Sequence, residues 1–200
     1  DNLAMILHDQ LKYDEARPLY FEAQGMLYEI YGDSHPEIAQ TLGNVSSFLM
    51  ETGEWDRAEK MVHEELRLNL ELLGPDHWRI GDSHQALAEI EMEKGNLGSA
   101  EQHALKSLDI YRAALPADHL KIAGGESSLG HVYLMQGRHR EAEPLLLRSY
   151  EAMEAVQDRA PYRMAVLESL IELYEETGQT DLATDYSQRL EILEAEATGG

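Results

Sequence analysis

Residues 35–76 read HPEIAQTLGNVSSFLMETGEWDRAEKMVHEELRLNLELLGPD, and this stretch decides the fold. His35-Pro36 puts a proline at a helix start, where its missing N–H costs little. Ile38, Leu42, Val45 and Leu49 follow at steps of three and four, the spacing that lines up one helical face. Gly53 closes that run as a C-terminal cap. Trp55 and Ala58 open a second helix, carried on by Met61, Val62, Leu66, Leu68 and Leu72. Gly74-Pro75-Asp76 stops it. The stretch is a helix, a tight turn and a second helix.

That unit recurs along the chain. Ala16, Ala58, Ala100 and Ala142 lie 42 residues apart, and Ala183 follows after 41. Gly53, Gly95 and Gly137 keep the same spacing before Gly178, as do Leu3, Val45, Leu87 and Leu129 before Leu170. His35, His77 and His119 form a further set, and Pro18 and Pro144 sit three periods apart. The shorter step places a one-residue deletion between Gly137 and Met164. Alanine suits its register, because paired helices approach closely where a side chain is short. One such pair cannot bury its apolar faces alone, so neighbouring pairs must stack. The period divides the chain into a partial repeat at 1–34, full repeats at 35–76, 77–118 and 119–160, and a last repeat at 161–195. A single array over 1–195 is expected, with 196–200 as a disordered tail.

An aromatic just after the turn glycine, with alanine three residues later, resembles the tetratricopeptide repeat. The long period is similar to the kinesin light chain type of that family. So are Tyr13-Asp14-Glu15-Ala16-Arg17-Pro18-Leu19-Tyr20, Glu141-Ala142-Glu143-Pro144-Leu145 and Leu73-Gly74-Pro75-Asp76-His77. The resemblance covers nearly the whole chain. It implies an all-α fold, a right-handed superhelical solenoid of antiparallel helix pairs that works as a protein-interaction module. Several residues depart from the pattern: Leu11 replaces the first turn glycine, and His139 and Thr180 replace the aromatic. Ile171 fills a small-residue slot, and Glu91 stands where Leu49, Tyr133 and Tyr174 stand elsewhere. Ile90 is expected to take the core role there, with Glu91 turned outward.

Composition narrows the function. The 200 residues hold 16 Lys and Arg against 38 Asp and Glu, a net charge of −22. Nucleic-acid binding and attachment to anionic membranes both need basic patches, so neither is expected. There is no cysteine, which excludes disulfides and thiol catalysis. No apolar run reaches the length of a membrane span and no signal peptide is visible, which points to the cytoplasm. The chain opens at Asp1 without a methionine, as a piece of a longer protein would. Its truncated first repeat then leaves an apolar edge around Met5 and Leu7, through which self-association is possible. His63-Glu64-Glu65-Leu66-Arg67 lacks the second histidine of a zinc-protease motif, and no phosphate loop is present. No enzyme activity, metal or cofactor is expected. His35, His77 and His119 are read as loop and capping residues.

In the resembled family the first helix of each repeat lines a concave groove that takes a peptide. Carried over by register, one row of that groove is His8, Met50, Met92, Leu134 and Glu175, and a second is Met5, Ser47, Glu89, His131 and Glu172. A third includes Gly43, Gln85, Ser127 and Glu168, and Glu51, Glu93, Met135 and Glu176 fall beside them. Asn2 and Asn44 match the asparagine with which the family often holds a bound peptide's backbone. No lysine or arginine stands at these positions. A grip on acidic peptides is therefore not expected; a basic or neutral protein segment with apolar anchors suits these rows better. The alternatives are a structural spacer or a peptide-sensing switch within a larger signalling protein.

Overall fold

A computed structural model describes residues 2–155 and 160–198. Among them the chain is all helix: α1 (Asn2–Asp9), α2 (Tyr13–Tyr31), α3 (Pro36–Glu51), α4 (Trp55–Leu73), α5 (Trp78–Glu93), α6 (Leu97–Ala114), α7 (Leu120–Met135), α8 (His139–Glu154), α9 (Ala160–Glu176) and α10 (Thr180–Thr198). α10 continues through 196–198, so the tail expected there is helical as far as Thr198. Gly199 and Gly200 lie outside the described residues, as do 156–159 within the stretch assigned to the one-residue deletion.

The three periodic histidines start their helices as the sequence predicts. The Nδ1 atoms of His35, His77 and His119 accept from the backbone N–H of Glu37, Arg79 and Lys121 at 3.2, 3.2 and 3.1 Å. Each satisfies one donor that the first helical turn leaves unpaired. The turns inside the pairs are equally regular. Gly53, Gly95, Gly137 and Gly178 hold φ of 74°, 77°, 70° and 72°, where a Cβ would be strained. The residue after each glycine donates to the carbonyl five positions back, as Glu54 does to Leu49 at 2.8 Å. Leu11 makes the same turn without glycine, at φ 59°.

The chain divides into two compact units, Asp1–Asn96 and Leu97–Gly200. In the first, Ala16, Tyr20, Val45, Phe48, Leu49, Ala58, Val62, Leu87 and Ile90 form one core, and Ile38, Leu42 and Leu68 a smaller one. Ile90 is fully buried and Glu91 only half-buried, as expected. Of the apolar edge expected around Met5 and Leu7, Met5 is 40% exposed, whereas Leu7 packs against the larger core. In the second unit the core is built on Leu146, Tyr150, Val166, Leu167, Leu170, Leu173 and Tyr174. Gly130 sets how closely α7 meets α8. A Cβ placed there would stand 2.9 Å from both Cγ and Cδ2 of Leu146.

Candidate functional site

The lining positions of the first unit lie on α1, α3 and α5. Asn44, Ser47 and Glu51 follow at steps of three and four on α3, and on α5 Met92 and Glu93 stand three and four residues after Glu89, itself four after Gln85, so each set shares one face. The neighbouring stripe, Val45 and Leu49 on α3, with Leu87 and Ile90 on α5, faces the core. Ser47, Glu51, Glu89 and Glu93 are exposed; Asn44, Gln85 and Met92 are half-buried. Asn2 and Met5 are exposed on α1, and the Asn44 amide donates to the Met5 sulfur at 3.6 Å.

Charge on this face is one-sided. Glu89 remains open to solvent, yet surrounding protein atoms and the negative charges of Glu93 and Glu51 raise its pKa above the usual carboxylate value. Among the described residues, no ion pair involves Glu89 or Glu93. Glu51 is already occupied: its Oε2 lies 2.8 Å from His8 Nε2 and accepts from the Tyr13 hydroxyl at 3.4 Å.

Three of the side chains assigned to the groove are buried. His8 packs edge-on against Tyr13, Tyr20 and Phe48, with Nδ1 3.0 Å from the Tyr20 hydroxyl. A neutral ring accounts for both polar contacts, with Tyr20 O–H donating to Nδ1 and Nε2–H donating to Glu51. Burial, with smaller contributions from Asp9 and Glu51, pushes the Tyr20 phenol up to about 12, which keeps it a donor. Met50 is 8% exposed and joins the core around Phe48; Leu134 is 3% exposed and joins that of the second unit. The apolar line expected through the middle of the groove is therefore largely core. The accessible apolar atoms belong to Met5 and half-buried Met92 in the first unit, and to Met135 in the second.

In the second unit the lining residues lie on α7 and α9. Ser169 Oγ donates to the Ala165 carbonyl at 3.0 Å and so accepts from His131 Nδ1–H at 3.1 Å. Glu168, Glu172 and Glu175 are exposed along α9. Glu176 Oε2 sits 2.6 Å from His139 Nε2, a partnership the sequence reading missed. The signal for it was present. Arg17–Glu54, Glu101–Arg138 and His139–Glu176 all pair at a separation of 37, the offset that joins one turn to a neighbouring repeat.

None of the lining positions named here is a lysine or arginine. Among the described residues, no group of three or more His, Asp or Glu is placed to hold a metal ion. No helix among them is long and apolar enough to cross a membrane.

A family model described as Tetratricopeptide repeat matches residues 37–113 and 81–155, which together span more than half of the chain. No curated protein matches the sequence. Solved structures share the fold at low identity. The kinesin light chain nearly identical TPR-like repeats of a Podosopora anserina protein align with a TM-score of 0.73 and 20% identity, over 100% of this chain and 94% of that one. BtubC (BKLC) from P. vanneervenii aligns with a TM-score of 0.75 and 16% identity, over 99% and 79%. A Rap protein complexed with competence and sporulation factor aligns with a TM-score of 0.81 and 19% identity, over 96% of this chain and 52% of that one.

Proposed function

Because this chain belongs to the tetratricopeptide repeat family, whose fold commonly mediates protein–protein interaction, we propose that it is a non-enzymatic module for a basic or neutral protein segment. The segment would lie along the first-helix face of one unit, with apolar side chains against Met5 and Met92 in 1–96 or against Met135 in 97–200. Methionine adapts its shape to varied partners, which suits exposed anchor positions. One observation carries this reading. The lining stripes hold Glu89, Glu93, Glu168, Glu172 and Glu175, no Lys or Arg, and in Glu89 an acid whose pKa is raised first by desolvation among surrounding protein atoms and then by the charges of Glu93 and Glu51. A cation placed beside Glu89 relieves that crowding and favours the ionised carboxyl. Binding should therefore strengthen as pH rises through the raised pKa of Glu89. The Rap protein solved with competence and sporulation factor supports the idea that this fold can house a partner.

The test uses a designed peptide alternating lysine and leucine, with a glutamate–leucine peptide as its opposite. Fluorescence anisotropy should show binding of the first that weakens as salt rises, and little binding of the second. The combined variant Glu89→Gln, Glu93→Gln and Glu172→Gln should weaken the first peptide and flatten its salt dependence. Unchanged affinity and salt response in that variant would refute a charge-reading surface.

A further inference from the structure

A cavity of about 700 Å³ opens in the unit 97–200, and it shares no lining residue with the candidate site above. Its volume falls in the range of roughly 300–1,000 Å³ typical of small-ligand pockets. One side is polar. Arg112 on α6 donates from Nη2 to Glu126 Oε1 at 2.7 Å, and Arg148 on α8 donates from Nε to the same oxygen at 3.0 Å. Glu126 on α7 is 7% exposed, whereas the two arginine side chains are 47% and 50% exposed. Leu115 and Ile122 supply apolar wall, and Glu151 a second acid.

Packing does not explain these charges. By register, Glu126 stands where Leu42 and Leu167 stand in two other repeats and His84 in a third, and all three are buried. The fold therefore accepts leucine at this position. Burying an ion cluster there seldom stabilises a protein more than a well-packed apolar side chain does. One period before Arg112 stands Leu70, so the arginine pair is not a feature of the repeat. Two guanidiniums share the one carboxylate of Glu126, and Glu151 on the same lining makes no ion pair with either arginine among the described residues. The contact with Glu126 takes a single donor from each guanidinium, out of about five that arginine carries.

We propose that this cavity binds a carboxylate carried on an apolar group, either the free end of a protein chain or a small carboxylic acid. The arginine pair takes the carboxylate through paired N–H donors, a geometry that guanidinium matches and ammonium does not. Leu115 and Ile122 take the apolar group. Glu151 opposes a second negative charge, so a monoanion is preferred to a phosphate dianion.

The experiment is nitrogen–proton NMR of the full chain, titrated with N-acetyl-leucine, N-acetyl-leucinamide and inorganic phosphate. N-acetyl-leucine should shift the backbone amides of Ile122 and Arg148 saturably. The neutral amide should bind at least about tenfold more weakly, because it lacks the charge that strengthens the hydrogen bonds. Arg148→Gln should weaken N-acetyl-leucine by at least about tenfold as well, with far-UV circular dichroism reporting its fold. Glu151→Gln keeps both arginines and should tighten binding; it decides the matter if Arg148→Gln loses helix. A peptide ending in free leucine that binds more tightly than N-acetyl-leucine identifies a chain end as the ligand; equal or weaker binding identifies a small acid. Equal binding of acid and amide, tighter binding of phosphate, or no shift in either the parent chain or Glu151→Gln would overturn the proposal.

Discussion

Glu65 is a carboxyl group buried on α4, and its effect on stability can be worked from its surroundings. It is 9% exposed, its Oε1 accepts from Asn69 Nδ2 at 3.2 Å, and a Cβ at Gly43 would lie 3.5 Å from its carboxyl carbon. Burial is the largest influence, and the charge of Asp82 adds to it; hydrogen bonds from Ser83 and Asn69 and the charge of Arg79 act in the other direction. The result is a pKa raised from 4.5 to about 7. A raised carboxyl pKa means that the folded chain holds its proton where the unfolded chain has lost it. Stability from this group is fully present below 4.5 and drains away as pH rises through about 7. The shift of about 2.5 units, at about 1.4 kcal/mol each, amounts to about 3 kcal/mol. Glu65→Gln keeps the shape and removes the ionisation. At about pH 5 the variant and parent should differ by less than about 1 kcal/mol; at about pH 8.5 the variant should be more stable by about 2–3 kcal/mol. Urea unfolding followed by tryptophan fluorescence reads this locally, since the chain's 2 tryptophans, Trp55 and Trp78, lie in the same unit as Glu65. Repulsion among the chain's many other acids also grows with pH, but it cancels between parent and variant. Parallel pH curves for the two proteins would refute the assignment, because they would mean that Glu65 ionises in the fold without penalty.

Gly130→Ala should destabilise the second unit by about 1–2 kcal/mol in urea unfolding, because the new methyl meets buried Leu146 and the strain exceeds the gain in helix propensity. Leu11→Gly should raise stability by up to about 1 kcal/mol, measured the same way: the side chain is 70% exposed and its backbone sits in the left-handed region. His8→Phe keeps a ring among Tyr13, Tyr20 and Phe48 but leaves the Tyr20 hydroxyl without its His8 partner. It should cost about 1–3 kcal/mol and speed amide exchange in α1 and α2 more than in α5.

The fold was legible because packing repeats as the sequence does. Alanine at 16, 58, 100 and 142 is fully buried each time, and the histidine at 35, 77 and 119 caps a helix each time. A period read from identity becomes a period in space when each repeat meets its neighbours in the same way. The candidate site was less legible because register fixes which helical face a residue occupies, not how deep its side chain sits. His8, Met50 and Met92 share one register. The first is drawn inward by Tyr20 and Glu51, the second closes over Phe48, and the third stays half-open.

The charges divide along a different line. A repeating scaffold accounts for the residues it repeats, so the ones it does not repeat need another cause. Leu11 breaks the turn rule and carries strain for it. Glu65 shares a register with Ser107 and Ser149, and Glu126 with Leu42 and Leu167. Glu65 occupies a slot that two later repeats fill with buried serine, and Glu126 one that two repeats fill with buried leucine and a third with buried His84. The two acids differ in what surrounds them. Among the described residues Glu65 has hydrogen-bond donors but no ion pair, and relief comes by holding a proton. Glu126 has two arginines, and relief comes through charge pairing that leaves guanidinium donors beside an open cavity. The first is therefore a site where pH acts on the fold, and the second a site where a ligand can.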